Sequence, residues 1–190
     1  MSTNEITIKA EITPNPNTLK FNVDRVLIEN GSLNFPDRAS AKGSLLPETL
    51  FNLENVLGVM AGRDFVTVTK MPAASWHVMA EPVANSIRSL LSAGQALFSS
   101  SLQATPAAEG HATANGDIEM KIRHILDNEI RPAVAMDGGD IVFCGYEDGV
   151  VTLHLQGSCS HCPSSIMTLK MGVENRLKSL IPEVREVVQV

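Results

Sequence analysis

Two cysteines three positions apart carry the chemistry of this chain. They stand in Gly157-Ser158-Cys159-Ser160-His161-Cys162-Pro163-Ser164-Ser165, between a run that reads as a strand and one that reads as a helix. Thiols at this spacing can turn toward one metal or toward each other. Pro163 suits the first position of a helix, where its missing N–H is not needed. The unpaired N–H groups and positive dipole end of that helix are then expected to favour the thiolate form. A thiolate binds metal, attacks disulfides or holds an iron–sulfur cluster.

Counting ligands narrows these uses. A two-iron or four-iron cluster takes four cysteine thiolates, and a structural zinc four Cys or His ligands. The chain has three cysteines, Cys144, Cys159 and Cys162. Cys144 lies in Val142-Phe143-Cys144-Gly145-Tyr146, a strand-like run in which a small buried residue is ordinary, so it reads as packing. The simplest route to four ligands is two chains, each giving Cys159 and Cys162 across a two-fold contact. Such a site is rimmed by short loops, so its metal is expected to be labile and transferable. A thioredoxin-like dithiol redox protein is the main rival, because it too sets CxxC between a strand and a helix. Pro163 to Val190 has room for one helix and one strand, fewer elements than that fold needs. Zinc shared between two chains, in a binding adaptor, is the other rival, and the cysteines alone do not separate it from iron–sulfur binding.

The remaining candidates have plainer readings. His161 reads as a solvated loop residue and His154 as a residue on the wetter face of its strand. Gly138-Gly139 lacks the spacing of a phosphate loop and reads as a turn needing positive φ. Met167 and Met171 read as packing. No Ser-His-Asp or paired-carboxylate constellation is legible, so no catalytic residue is assigned and an enzyme is not expected.

The elements that position Cys159 and Cys162 follow from periodicity. Asp117 can cap a helix whose apolar face is Ile118, Ile122, Ile125, Leu126 and Ile130, with Pro132 disturbing its end. Asp137-Gly138-Gly139-Asp140 is turn chemistry. Ile141–Tyr146 and Val150–Leu155 read as a hairpin across Glu147-Asp148-Gly149, with Val151, Leu153 and Leu155 on the buried face. After the motif comes a helix from Pro163 to about Leu180, with Ile166, Leu169, Val173, Leu177 and Leu180 on one face. Val184–Val190 closes as a strand, giving the order α-β-β-α-β.

The stretch Ser99–Gly116 is rich in Ser, Ala, Thr and Gly and cannot bury enough to offset its ordering entropy, so it reads as a flexible linker. It separates domains at 1–98 and 117–190. In the first, Ile6–Ile12 and Thr18–Val23 read as strands around Pro14-Asn15-Pro16-Asn17. Pro47–Asn52 reads as a short helix, and Val56–Ala61 and Phe65–Thr69 as a hairpin. Ser75 can cap a helix through Trp76 toward Leu91, with Pro82 inside it. The expected class is mixed α+β, two small domains joined by a flexible linker.

Composition bounds the partners. The chain has 190 residues and a net charge of −6, and no block of Lys and Arg stands out. Nucleic acid and membrane surfaces are therefore poor partners. Aromatics are only 4%, so the core must be aliphatic. Three cysteines do not make a disulfide scaffold, which points to a reducing compartment. No apolar run reaches spanning length, and 1–12 reads neither as a secretory signal nor as a transit peptide. The expected location is the bacterial cytoplasm, or the mitochondrial matrix if a presequence has been removed.

Met136-Asp-Gly-Gly-Asp-Ile141 and Gly157-Ser-Cys-Ser-His-Cys-Pro-Ser-Ser165 resemble the C-terminal domain of NifU, as found in Nfu-type iron–sulfur cluster carriers. Thr13-Pro-Asn-Pro-Asn-Thr-Leu-Lys-Phe21 and Gly62-Arg-Asp-Phe-Val-Thr-Val-Thr-Lys70 resemble the Nfu N-terminal domain. The resemblance implies a carrier that receives a [4Fe-4S] cluster from scaffold donors and bridges it between the protomers of a homodimer. Delivery to apo recipients such as lipoyl synthase or aconitase-like enzymes follows. Cys159 and Cys162 match the cluster-ligating pair, and Cys144 matches no ligand. The N-terminal domain matches one thought to help partner docking, which makes Trp76 and Thr13–Phe21 recognition candidates. Trp76 can equally be the one large anchor of an aromatic-poor core.

Overall fold

The computed structural model describes residues 6–99, 116–159 and 163–190, and of residues 163–166 and 168 the backbone alone. The chain divides into two compact units, Met1–Thr105 and Pro106–Val190. Apart from its two ends, the expected linker lies outside the described residues. Ser99 donates its N–H to Ser44 Oγ at 3.0 Å, and Gly116 already opens a helix.

Among the described residues, the first unit is an antiparallel sheet with two helices packed on it. Its strands are β1 (Ile8–Ile12), β2 (Thr18–Val23), β3 (Leu33–Phe35), β4 (Val56–Ala61) and β5 (Phe65–Lys70), in the order β1-β2-β5-β4-β3. The three-residue β3 escapes the sequence reading because so short a run shows no alternation. Leu19, Phe21 and Val23 of β2 meet Val66 and Val68 of β5 on the core face. Helix α1 is Leu45–Phe51 and α2 is Trp76–Ala93. Ser75 caps α2, its side chain accepting the His77 N–H at 3.3 Å. Met79, Val83, Ile87 and Leu91 form the buried stripe of α2, each worth about 1.5–3 kcal/mol of apolar burial. Pro82 does not end the helix. It lies on the exposed side, where water can satisfy the carbonyl its ring leaves without a donor.

Among the described residues, the second unit opens with α3 (Gly116–Ile125), a π-helical turn (Leu126–Ile130) and α4 (Arg131–Met136). Asp117 lies inside the first turn of α3 rather than before it, which corrects its cap reading. Pro132 disturbs the helix as expected: a π-helical turn precedes it, and the helix then runs on to Met136. The widened turn before it, where the Arg131 N–H reaches Leu126 O, absorbs the donor and space that proline removes. Strands β6 (Gly139–Glu147) and β7 (Val150–Gly157) pair antiparallel, helix α5 (Pro163–Leu180) crosses over, and β8 (Glu186–Gln189) pairs parallel to β7. Ile122, Leu126, Ile141, Val151, Leu153, Leu155, Val173 and Leu177 fill the core between sheet and helices.

Candidate functional site

The sheet edge where β6 begins and β7 ends carries Cys159. Gly139 pairs with Gly157, so the turn Asp137-Gly138-Gly139-Asp140 lies beside the end of β7. Gly138 has φ +75°, as its turn reading requires. Gly139 is needed for another reason, close approach. A Cβ there would fall 2.5 Å from Cys159 Sγ, 3.0 Å from Gln156 O and 3.2 Å from Val134 Cγ1. The sulfur is thus seated against backbone that only glycine leaves open.

Ser158 fastens that seat. Its N–H donates to Gly138 O at 3.1 Å, and its hydroxyl donates to Asp137 O at 2.5 Å. The turn is held in turn from the helical side. Arg131, the first residue of α4, donates through Nε and Nη2 to the two oxygens of Asp140, both at 2.8 Å. Its Nη1 donates to Asp127 at 3.0 Å. Asp140 Oδ1 also accepts the Ile141 N–H at 2.8 Å. The side chain of Asp140 is only 8% exposed, so this is a planar two-point pair largely out of water. The Asp140 carboxylate pushes the Arg131 guanidinium further toward its charged form.

Cys159 is 6% exposed and belongs to the apolar core. Burial pushes its thiol up from the ordinary value. The Ser158 hydroxyl pulls the other way, and the Asp137 and Asp140 carboxylates add to the rise. Burial thus opposes, at Cys159, the thiolate preference expected of the motif.

Cys162 and His161 lie outside the described residues, so the structure positions one of the two expected ligands. Among the described residues no three His, Cys, Asp or Glu side chains gather as a metal site. Cys144 is not packing. It is the extra residue of a β-bulge between Phe143 and Gly145, and its side chain is exposed. Ile141 and Phe143 are buried and Val142 is exposed, so the in-out alternation of the strand already sets Cys144 on the outer face. Met167 and Met171 are likewise exposed, at 60% and 57%, rather than packed, and Leu180 is 44% exposed at the end of α5. The buried stripe of α5 runs through Val173 and Leu177 and passes to Ile181 beyond the helix. His154 keeps to the outer face, donating from Nδ1 to the Val190 oxygen at 2.7 Å.

Sequence reasoning missed Arg131, Ser158 and the sulfur contact of Gly139. The signal for Gly139 was the second glycine of a pair whose turn needs only one. In the first unit, Trp76 and the Pro14–Asn17 turn come together. The indole N–H donates to Pro16 O at 3.2 Å, the ring meets Phe21 edge-on at 6.4 Å, and Lys70 Nζ lies 6.0 Å from its centroid. Trp76 is half-buried against the core, as the anchor reading expects.

Two family models match the chain. Residues 8–94 match the Nfu/NifU scaffold protein N terminus, and residues 122–188 match the NifU-like domain. The human protein named NFU1 iron-sulfur cluster scaffold homolog, mitochondrial, is 41% identical over 96% of this chain and 71% of its own length. The protein of the same name from Drosophila erecta is 45% identical over 96% of this chain. NifU-like protein 4, mitochondrial, of Arabidopsis thaliana is 42% identical over 96% of this chain. The chain spans 64% of the fly protein and 65% of the plant one, somewhat less than two thirds of each.

Proposed function

This chain belongs to the Nfu family of NifU-like iron–sulfur cluster scaffold proteins, and from that premise we propose that it carries a [4Fe-4S] cluster between two copies of itself. The ligands are Cys159 and Cys162 of each copy. Its work is transfer, not catalysis: it takes a cluster from a donor scaffold and gives it to apo iron–sulfur proteins. The observation that carries the reading is the placement of Cys159 in the loop after β7, inside a motif that supplies two thiols where a cluster needs four. A second chain supplies the rest. A cluster held at the edge of two small folds can meet an incoming acceptor thiolate without either fold opening.

The dithiol redox reading fares worse. The matching N-terminal family is one of scaffold proteins, and burial disfavours the thiolate form at Cys159. For the compartment, the three relatives are all mitochondrial by name, which favours the mitochondrial matrix over the bacterial cytoplasm expected first. Trp76 and the Thr13–Phe21 segment, joined by the indole bond to Pro16, are the recognition surface proposed for donors or recipients.

Anaerobic reconstitution with iron and sulfide, read by Mössbauer spectroscopy and by size, tests the proposal. Four irons per dimer with a [4Fe-4S] signature are expected on general cluster stoichiometry. Cys159→Ser and Cys162→Ser each abolish uptake, while Cys144→Ser, on an exposed bulge, leaves it intact. A chain that stays monomeric and iron-free, or that takes only zinc, overturns the reading.

A further inference from the structure

A sulfur that ligates a cluster shared by two chains must face outward. The Cys159 sulfur instead faces inward, against the backbone of Gly139 and beside Val134, with 6% of the residue exposed. Two glycines with positive φ flank the contact, Gly138 at +75° and Gly157 at +68°. Gly157 directly precedes Ser158, so rotation there can swing Ser158 and Cys159 together. Against that swing stand the two Ser158 bonds to Asp137 and Gly138. Their acceptors are carbonyls of the turn, and the turn is anchored by the Arg131–Asp140 pair. The π-helical turn bears on this anchor. A helix rotates about 100° per residue, so the extra residue of a π turn resets which way every later side chain of that helix faces. Arg131 is the first residue after it.

We infer that the Asp137–Asp140 turn is a sheath over the Cys159 thiol, and that Arg131 is the positioning residue that keeps it closed in the cluster-free chain. Closing the sheath and binding the cluster are then mutually exclusive uses of one sulfur. By linkage, whatever stabilises the closed seat weakens the hold on the cluster by the same factor. The sheath thus favours release, and it shields the thiol afterward. This second half rests on the cluster-carrier reading; the existence of the sheath does not.

The experiment compares the full chain with Arg131→Gln and Ser158→Ala. Amide hydrogen exchange on the apo proteins reads the seat directly, through the Ser158 N–H. Its protection is expected to fall by at least about tenfold in both variants while β7 amides keep theirs, the mark of local rather than global opening. On reconstituted protein, loss of the cluster to a chelator is expected to be severalfold slower in both variants than in the parent. A fold merely damaged by the substitution would lose its cluster faster, so the sign separates the two. Ser158 protection that is unchanged, or that falls together with the β7 amides, overturns the sheath. Faster cluster loss overturns its role in release. A parent chain that takes up no iron refutes the carrier reading, while hydrogen exchange still decides whether the sheath exists.

Discussion

At the scale of single residues, the site depends on atoms that are absent. Gly139 contributes no side chain, and the sulfur of Cys159 occupies the space one would need. Gly139→Ala places a methyl 2.5 Å from that sulfur and 3.0 Å from a backbone oxygen that cannot easily retreat. The expected cost is about 1–3 kcal/mol in urea unfolding, typical of overpacking. Iodoacetamide should then label Cys159 faster than in the parent, because the sulfur has lost its seat; equal labelling and equal stability would refute the contact. Cys144 and Cys159 show how differently one residue type can be used within the same sheet. One stands out on a bulge, and the other is part of the core.

At the scale of elements, α5 does two jobs. Its start follows the cysteine loop, and its middle secures the last strand. Glu174 Oε2 accepts the Val187 N–H of β8 at 3.0 Å, while Oε1 accepts from Lys178 Nζ at 2.6 Å. Both contacts, the lysine first, hold the Glu174 carboxyl below its ordinary value. A carboxyl lowered in the folded state adds stability above its unfolded value and loses it as the pH falls through the folded one. Melting temperatures taken from pH 7 down to pH 3 should therefore fall less steeply in Glu174→Gln than in the parent. The effect is small, because the ion pair with Lys178 is partly exposed and screened. Parallel slopes would mean that the strand is held without the carboxylate. The π-helical turn is the other element with consequence, since it lets a helix containing Pro132 continue and sets Arg131 against Asp140.

At the scale of the molecule, two compact units each own a core, one built on the β1-β2-β5-β4-β3 sheet and one on β6-β7-β8. The linker reading of Ser99–Gly116 predicts that they unfold independently. Ile87 is fully buried in the first core, and Ile87→Ala should cost that unit about 2–5 kcal/mol. Calorimetry should show one transition moving and the other fixed, with iron uptake by the second unit retained. A single transition that shifts as a whole would mean the units are coupled. Independence would suit a carrier that docks with one unit and delivers from the other.

Much of this was legible in the order of residues. Alternation in Val151, Leu153 and Leu155 gave a half-buried strand, and the period of Ile118, Ile122, Ile125 and Leu126 gave a helix. The Cys-x-x-Cys spacing gave two thiols able to face one metal. These are local signals, because periodicity and ligand spacing are properties of a short stretch of chain. What the sequence could not show depends on residues far apart along it. The bulge at Cys144 is a matter of pairing with β7. The inward turn of Cys159 depends on Gly139, twenty positions earlier, and on Arg131 holding Asp140. The sequence by itself determined that two thiols stand three positions apart. Only the tertiary structure decided that one of them, Cys159, is buried, because burial is set by what the fold lays over a residue and not by the residue itself.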